Sequence, residues 1–321
     1  MAKKIGATFH GKDILSLDQF DQKSLQTLFS VTATMADIAR HGRASRILDG
    51  KIATLLFYEP SSRTFGSFAA SVKQLGGQTV EIQNPQQFSS VAKGETLEDT
   101  IRTFESYCDV IIIRHPQIGT AVKAAKYAQH VPIINAGDGI GEHPTQALLD
   151  LYTIYEKFGR LDSLTGVIAG DILNGRTVHS LLRGLSLYKD NTIYLLSPQN
   201  LRLNKADFSY LKSKGLTLRE IQSEKEIPRH ADFWYWTRVQ KERFKDLSAY
   251  EKVKHSFIVT PNTLAKYASQ KMILMHPLPR VGEIDPKVDQ DPRSVYLRSQ
   301  VRNGMYIRMA LLGLVLGEIE S

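Results

Sequence analysis

Cysteine is nearly absent from the sequence, since Cys108 is the single residue of its kind among 321. One cysteine cannot close an internal disulfide and provides no cluster for zinc, and we interpret it as a small buried residue. The sequence also lacks any run approaching the ~18 apolar residues of a membrane-spanning helix. No apolar leader follows Met1. These absences predict a soluble, cytoplasmic protein with neither a membrane segment nor a zinc site.

Long runs of like charge are absent as well, although the chain is basic. Lysine and arginine number 41 against 33 acidic residues, which gives a net charge of +8. The basic residues are dispersed and form no block interleaved with aromatic side chains, which argues against nucleic acid as a partner. A solvated surface explains most of the excess, and dispersed arginines suit small anionic ligands better.

Glycine patterns for nucleotide phosphates are missing too. The glycine-rich segment 135–142 lacks the Lys-Ser/Thr end of a phosphate loop, and the sequence has no dinucleotide fingerprint. A nucleotide-binding module is therefore disfavoured, and we expect the segment to form a flexible turn.

What the sequence does contain is an alternation of apolar, strand-length runs with helical periodicity. The predicted strands cover 51–58, 79–82, 109–113, 131–134, 165–169, 192–196, 216–220, 233–237 and 272–275. Helices are predicted over 21–40, up to about 75, over 117–129, 205–213 and 301–317, and also from Thr96, from His143 and after Asp171. Two such series predict an α/β fold of two doubly wound parallel-sheet domains with the active site in the cleft between them.

The most informative stretch joins the first strand to a helix. The apolar run 52–57 predicts a strand buried on both faces, and the next apolar residues recur at helical spacing. Ser61, Ser62, Arg63 and Thr64 therefore fall on the first helical turn, where backbone N–H groups are unpaired and the helix dipole is positive. This arrangement predicts an anion cradle suited to phosphate. A serine N-cap beside a solvated arginine remains an alternative.

Five further polar strings follow predicted strands or their turns, and four of them contain arginine. They are Arg114-His115-Pro116, His143-Pro144-Thr145-Gln146, Gly175-Arg176-Thr177, the string from Thr237-Arg238-Val239-Gln240 to Arg243, and His276-Pro277-Leu278-Pro279-Arg280. Each string alone has an ordinary structural interpretation, such as a surface ion pair or a helix cap. Their coincidence at strand ends favours a single anion-binding site.

Together these strings, in this order and spacing, resemble the aspartate/ornithine carbamoyltransferase family and, within it, the aspartate carbamoyltransferases. The resemblance extends from about residue 5 to the last helix. It implies transfer of the carbamoyl group of carbamoyl phosphate to the amine of L-aspartate, which gives N-carbamoyl-L-aspartate and phosphate and begins pyrimidine synthesis. It implies neither a metal nor an organic cofactor.

The resemblance also implies the domain boundaries. The carbamoyl phosphate-binding domain is expected over 1–144 and the aspartate-binding domain over 145–300. A C-terminal helix over 301–321 is expected to pack back on the first domain.

Site roles follow from the same resemblance. Thr64, Arg114 and His143 are expected to stabilise the negative oxygen of the transition state, with Arg63 and Lys93 also in catalytic positions. The residues expected to bind carbamoyl phosphate are Ser61, Ser62, Arg63, Thr64, Arg114, His143, Gln146, Leu278 and Pro279, the last two through carbonyls beside a cis peptide bond. The residues expected to bind aspartate are Lys93, Arg176, Arg238 and Gln240, because arginine grips carboxylates bidentately.

The polar segment 83–93 is expected to be a mobile loop that carries Ser89 and Lys93 into the active site of the neighbouring subunit. This implies a homotrimer with shared sites. A solvated loop lysine is the alternative for Lys93. Separate regulatory or dihydroorotase chains are possible further partners.

Two other functions compete. Ornithine carbamoyltransferases share the phosphate cradle, but they are expected to have a cysteine in the loop where this chain has Pro277. A non-catalytic anion-binding protein would explain the charge but not the polar strings. Departures from the family pattern include Ser62 in place of threonine, Phe65 where many members have arginine, Trp236 in place of a smaller residue, and Gly282 in place of a polar one.

Overall fold

The computed structural model of the protein describes residues 3–6, 8–42, 45–139, 141–240, 244, 246, 248, 250–251 and 256–320. Ile140 of the glycine-rich segment and Lys241-Glu242-Arg243 of the arginine-rich string lie outside the described residues. The chain forms two units, one made of residues 1–152 and 302–321 and the other of residues 153–301. The division falls after Tyr152, inside a helix that begins at Pro144, whereas the expected boundary lies between residues 144 and 145.

The first unit contains a four-stranded parallel sheet in the order β2-β1-β3-β4. Its strands are β1 (Ile52–Phe57), β2 (Gln78–Gln83), β3 (Val110–His115) and β4 (Ile133–Asp138). Its helices are α1 (Gln22–Arg40), α2 (Ser62–Gln74), α3 (Pro85–Phe88), α4 (Leu97–Glu105), α5 (Thr120–Tyr127) and α6 (Pro144–Phe158), the last of which continues into the second unit.

The two central strands of this sheet are buried, as their apolar runs predict. Leu55 and Leu56 of β1 and Ile111 and Ile112 of β3 have no solvent exposure. Burial of this kind contributes roughly 1.5–3 kcal/mol for each large aliphatic side chain. The register pairs Phe57 with Arg114, so the turns after β1 and β3 begin side by side.

The fourth strand corrects the prediction of a flexible turn over 135–142 for its first half, residues 135–138. β4 continues through Asn135 to Asp138, and Asn135 is buried. The Asn135 side chain donates a hydrogen bond to the Leu15 carbonyl at 3.0 Å, and its backbone N–H donates to Ile14. Because the N-terminal segment satisfies these polar groups, the strand extends beyond its apolar run.

The second unit contains a five-stranded parallel sheet in the order β7-β6-β5-β8-β9. Its strands are β5 (Thr165–Ala169), β6 (Thr192–Leu196), β7 (Thr217–Ile221), β8 (Phe233–Trp236) and β9 (Ile273–Met275). Its helices are α7 (Arg176–Leu185), α8 (Lys205–Ser213) and α9 (Pro261–Tyr267), and α10 (Ser299–Val315) starts here and continues in the first unit. The strand order reverses at β5, where open α/β sheets bind ligands.

Several short helical segments were not predicted, among them α9 and the helical turns of segment 83–93. α9 has a reciprocal cap in which the Thr260 hydroxyl accepts from the Thr263 backbone N–H, but its seven residues are too few to show a periodic pattern. Segment 83–93 contains α3 and a 3₁₀ turn, Ser90–Lys93, instead of an irregular loop. Its mobility remains a prediction.

Two searches of the described residues gave negative results. None of their helices combines the length and the apolar character needed to cross a membrane. No three histidine, cysteine, aspartate or glutamate side chains among these residues gather so that they could hold a metal ion.

Candidate active site

The predicted anion cradle lies at the junction of β1 and α2. Ser61 is the N-cap of α2, with φ −159° and ψ 81°, and its side chain makes no capping hydrogen bond. Ser62 and Arg63 are exposed on the first helical turn, whereas Thr64 is buried. The hydroxyl of Ser61 is thus not engaged in capping its own helix, unlike the serine N-cap of the alternative interpretation.

Arg114 is a buried cation at the end of β3. Its Nη1 donates to the Ala136 carbonyl at 3.2 Å, and its Nη2 lies 2.7 Å from Oε2 of Glu59, in the turn after β1. Burial lowers the pKa of Arg114, while the Glu59 carboxylate opposes this shift. Its Nε has no hydrogen-bond partner among the described residues, so the guanidinium retains a donor for a ligand oxygen.

The side chains of Arg114 and His143 both approach the backbone of Gly137. A Cβ atom at Gly137 would lie 2.8 Å from Nη1 of Arg114 and 3.5 Å from Cδ2 of His143. Gly137 also has φ +123°, a conformation that other residues rarely adopt. Because Gly137 has no side chain, the Arg114 guanidinium and the His143 imidazole can pack directly against its backbone.

We predict that Gly137→Ala lowers kcat by about 10²-fold, because a displacement of the Arg114 guanidinium by a few tenths of an ångström or more misplaces a catalytic donor. Steady-state kinetics at saturating substrates would measure the effect. Gly215→Ala is the matched control, since Gly215 has φ +98° and no atom within 4 Å of its added Cβ. Equal activity of the two variants would show that the close approach to Arg114 has no catalytic importance.

His143 and Gln146 lie at the start of α6. His143 is buried directly before Pro144, and its carbonyl accepts hydrogen bonds from the backbone N–H groups of Gln146 and Ala147. The Gln146 Nε2 donates to Asp150 at 3.1 Å. Because Asp150 engages the amide donor, Oε1 of Gln146 is the atom placed to accept a hydrogen bond from a ligand.

Arg308 links the two helices that carry these groups. It lies on α10, and its Nη1 donates to Ser67 Oγ on α2 at 2.9 Å while its Nη2 donates to Thr145 Oγ1 on α6 at 3.4 Å. Burial lowers the pKa of Arg308 to about 10, and the charge of Asp150 opposes this shift. The C-terminal helix therefore braces the cradle and the His143 helix from within the first unit.

In the second unit, the turns after β5 and β8 are joined by hydrogen bonds. The Gln240 Nε2 donates to the Asn174 carbonyl at 3.0 Å, and the same carbonyl accepts from the Arg176 backbone N–H. The Asp171 carboxylate accepts from the Asn174 backbone N–H at 3.0 Å. Gln240 is thus in contact with the turn that leads to Arg176, as the predicted aspartate site requires.

Arg238 is positioned by its neighbour Thr237. Both the backbone N–H and the hydroxyl of Thr237 donate to the Ala169 carbonyl, at 2.8 and 2.9 Å. Gly170 permits this contact, because a Cβ there would lie 2.1 Å from the Thr237 carbonyl oxygen. Arg238, which is half-buried, therefore begins the segment that leaves this junction of β5 and β8.

The loop after β9 has the backbone that the resemblance implies. The Leu278–Pro279 peptide bond is cis, which confirms that expectation, and Leu278 has φ +55°. Arg280 forms two hydrogen bonds to the Asp289 carboxylate, which help to raise the pKa of Arg280. Arg280 is therefore engaged within its own unit.

Ser89 and Lys93 lie in the segment expected to reach a neighbouring subunit. The Ser89 hydroxyl donates to the Pro85 carbonyl at 2.7 Å and accepts from the Val91 backbone N–H at 3.2 Å. Lys93 is exposed at the end of the 3₁₀ turn. An exposed lysine fits both the shared site and the solvated alternative.

Sequence analysis missed four residues that organise the site: Glu59, Gly137, Asp171 and Arg308. Glu59 and Asp171 had a usable signal, because each is an acidic residue just after a strand and close in sequence to an expected binding residue. Gly137 and Arg308 had none, since their importance comes from contacts with residues distant in the sequence.

Two parallel α/β units with arginines at or just after their strand ends provide a scaffold on which small anions can bind. The family of this chain is given by two domain models that cover nearly all of it. The carbamoyl-P binding domain of aspartate/ornithine carbamoyltransferases matches residues 12–156, and the Asp/Orn binding domain matches residues 162–315. The chain belongs to the aspartate/ornithine carbamoyltransferase family and is a transferase.

Relatives of known name are similar over almost all of this chain. The aspartate carbamoyltransferase catalytic subunit of Hyperthermus butylicus is 43% identical, with 97% of this chain and 98% of the relative covered. The multifunctional protein pyr1-3 of Dictyostelium discoideum is 49% identical over 96% of this chain, which spans 14% of that protein's length.

Solved structures are similar in fold. The catalytic subunit of M. jannaschii aspartate transcarbamoylase has a TM-score of 0.89 and 42% identity, with 96% of this chain and 99% of that chain covered. The Trypanosoma cruzi aspartate transcarbamoylase in complex with carbamoyl phosphate and aspartate has a TM-score of 0.88 and 40% identity, with 97% and 98% covered.

Proposed function

We propose that this enzyme is an aspartate carbamoyltransferase, which transfers the carbamoyl group of carbamoyl phosphate to the amine of L-aspartate in pyrimidine synthesis. One observation supports aspartate as the second substrate. The Gln240 side chain is hydrogen-bonded to the turn that leads to Arg176, and Arg238 lies two residues before Gln240. Arginine and a carboxamide suit a dicarboxylate. The named aspartate enzymes among the relatives support the same choice.

Carbamoyl phosphate is a mixed anhydride, so the enzyme holds its phosphate and polarises its carbonyl. Ser61, Ser62, Arg63 and Thr64 bind the phosphate at the positive end of α2. Gln146 and the carbonyls of Leu278 and Pro279 accept hydrogen bonds from the carbamoyl NH2 group.

The chemical step is an attack of the aspartate amine on the carbamoyl carbon. A C–N bond forms, the bond from that carbon to the phosphate oxygen breaks, and the amine proton passes to the leaving phosphate. Arg114, His143 and Thr64 donate to the carbonyl oxygen that becomes negative in between. Catalysis consists of positioning and electrostatic stabilisation, and it requires no general base with a shifted pKa.

The proposal is tested by the choice of amine. The purified chain would be given carbamoyl phosphate with either L-aspartate or L-ornithine, and carbamoyl-aspartate and citrulline would be measured. We expect carbamoyl-aspartate, together with competitive inhibition by the dicarboxylate succinate. Citrulline in place of carbamoyl-aspartate would identify the ornithine alternative and overturn our assignment of Arg176, Arg238 and Gln240.

We further propose a homotrimer in which Ser89 and Lys93 complete the site of a neighbouring subunit. Exposure of Lys93 and its place on a short 3₁₀ turn between β2 and α4 are consistent with this role. Partner chains of regulatory or dihydroorotase type also remain proposals. The relatives named multifunctional protein pyr1-3 and multifunctional protein CAD extend far beyond the 14% of their length that this chain covers, which is consistent with further functional partners. The cytoplasmic location stays a prediction.

Shared sites predict complementation between two inactive variants. When Lys93→Ala chains are mixed and exchanged with Arg114→Ala chains, some mixed trimers will contain a site with both residues intact. We expect activity to reappear in the mixture, whereas each variant alone stays inactive. No recovery after exchange demonstrated by a mass label would contradict shared sites.

A further inference from the structure

The loop from His276 to Glu283, here called the carbamoyl loop, is held by hydrogen bonds within itself. The imidazole Nδ1 of His276 accepts from the Leu278 backbone N–H at 2.8 Å. The imidazole Nε2 lies 2.7 Å from Glu283 Oε1, and the other carboxylate oxygen accepts from the Val281 backbone N–H at 2.8 Å. One histidine and one glutamate thus fix both sides of the Leu278–Pro279 peptide.

This geometry determines where the imidazole proton lies. Because the Leu278 N–H is a donor, Nδ1 of His276 must be its acceptor, and the proton resides on Nε2 and is donated to Glu283. Burial lowers the pKa of His276. The hydrogen bond to Glu283 and its charge raise the pKa, whereas the positive charges of Arg280 and Arg238 lower it further. Burial is the largest single influence on Glu283 and raises its pKa, but the interactions with His276 and the backbone hydrogen bonds of Val281 and Glu283 together outweigh burial, so the pKa of Glu283 is lowered.

The pair is itself firmly seated in the second unit. His276 and Glu283 are 2% and 6% exposed, so water does not compete effectively for their hydrogen bonds. The His276 backbone N–H donates to Gln300 Oε1 at 3.0 Å, which anchors the start of the loop. The imidazole also packs edge-on against the Tyr296 ring.

We propose that His276 and Glu283 are positioning residues that hold the carbonyls of Leu278 and Pro279 in place for the carbamoyl NH2 group. The inference rests on the proposed function, since it needs carbamoyl phosphate as the ligand of this loop. Neither side chain touches the substrate. His276 acts through the Leu278 amide, and Glu283 acts through the His276 imidazole and the Val281 amide.

The test compares three replacements of His276. Asparagine places an oxygen where Nδ1 lies and can still accept from Leu278. Glutamine extends toward Glu283 instead, and phenylalanine keeps the ring without any acceptor. We expect kcat/KM for carbamoyl phosphate to fall by about 10- to 100-fold in His276→Phe and His276→Gln. His276→Asn should recover most of the loss, although it fills less of the cavity.

A second variant keeps the proposal testable if the ring replacements fail to fold. Glu283→Gln is nearly isosteric and retains an acceptor for either His276 or Val281, so we expect a smaller loss of kcat/KM, about 3- to 10-fold. Asn191→Ala is the structural control. Asn191 is a fully buried side chain that binds the Leu161 and Leu185 carbonyls elsewhere in the second unit, so its loss should lower Tm and leave kcat/KM unchanged.

The outcomes separate this inference from the proposed function. A wild-type chain that makes no carbamoyl-aspartate would defeat the proposed function and the inference with it. An active wild type whose four loop variants all stay within twofold in kcat/KM would overturn the inference alone. The inference would also be overturned if the losses in kcat/KM followed the losses in Tm, instead of following whether the variant keeps an acceptor for the Leu278 amide.

Discussion

Replacement of Arg114 by alanine is expected to lower kcat by about 10²- to 10³-fold, the usual loss when one preorganised donor to a developing oxyanion is removed. Arg114 is buried, paired with Glu59 at 2.7 Å, and close to His143 across Gly137. Its charge is therefore fixed in place before the reaction begins. Steady-state kinetics with both substrates saturating would measure the effect.

The Glu59 carboxylate complicates the interpretation of that variant. Removal of Arg114 leaves Glu59 without its ion-pair partner, so part of the damage reflects altered folding rather than chemistry. The double variant Glu59→Gln with Arg114→Ala removes this unpaired charge and should stay equally inactive. Arg102→Ala is the matched control, because Arg102 is an exposed residue of the first unit that pairs with Glu98 on α4. Arg114→Ala with activity within tenfold of wild type would contradict oxyanion stabilisation.

Replacement of Arg238 by alanine is expected to raise the KM for aspartate by about 30- to 150-fold. Loss of a charged hydrogen-bonding partner costs about 2–3 kcal/mol at a half-buried site. The dissociation constant of carbamoyl phosphate, measured by calorimetry without aspartate, should change much less, because Arg238 is not among the residues that we assign to carbamoyl phosphate. Arg238→Lys should recover only part of the loss, since an ammonium group lacks the planar fork.

Arg219→Ala provides the control for Arg238. Arg219 is an exposed arginine of β7 in the same unit and stacks on Tyr194. Its removal changes the net charge equally and should leave the KM for aspartate unchanged. Equal KM values for Arg238→Ala and wild type would show that another group binds the second substrate.

The elements that sequence analysis predicted best are those whose stability is local or is set by one apolar run. The predicted strands over 165–169 and 192–196 coincide with β5 and β6, and the cradle lies on the first turn of α2 as expected. The burial pattern of these elements can be recognised from consecutive residues of the sequence. The same holds for the placement of Arg176 and Gln240 in neighbouring turns, because parallel strands bring their carboxyl ends together.

What could not be predicted depends on contacts between distant residues. The extension of β4 requires Leu15 to accept from Asn135, and the position of Arg114 requires Glu59 and the missing side chain of Gly137. No periodicity records such pairs. The brace formed by Arg308 joins α10 to α2 and α6 and is equally invisible in the sequence.

The unusual residues near the site also receive a physical explanation. Phe65 packs edge-to-face on Phe57, with ring centroids 5.2 Å apart, so an apolar contact stands where many members have a charge. Trp236 is buried and its indole N–H donates to the Phe257 carbonyl at 2.6 Å. Both residues contribute to packing behind the strand ends, where large aromatic side chains bury much apolar area. Neither takes the place of an expected binding residue.

The most direct test of the account follows the carbamoyl carbon itself. Carbamoyl phosphate labelled with ¹³C would be mixed with L-aspartate and the chain, and the label would be followed by NMR while phosphate is assayed in the same tube. The account predicts that the label appears in N-carbamoyl-L-aspartate with one phosphate released per carbamoyl group transferred. Phosphate release with the label in carbamate or cyanate would contradict it, because the chain would then only break the anhydride and not transfer the group.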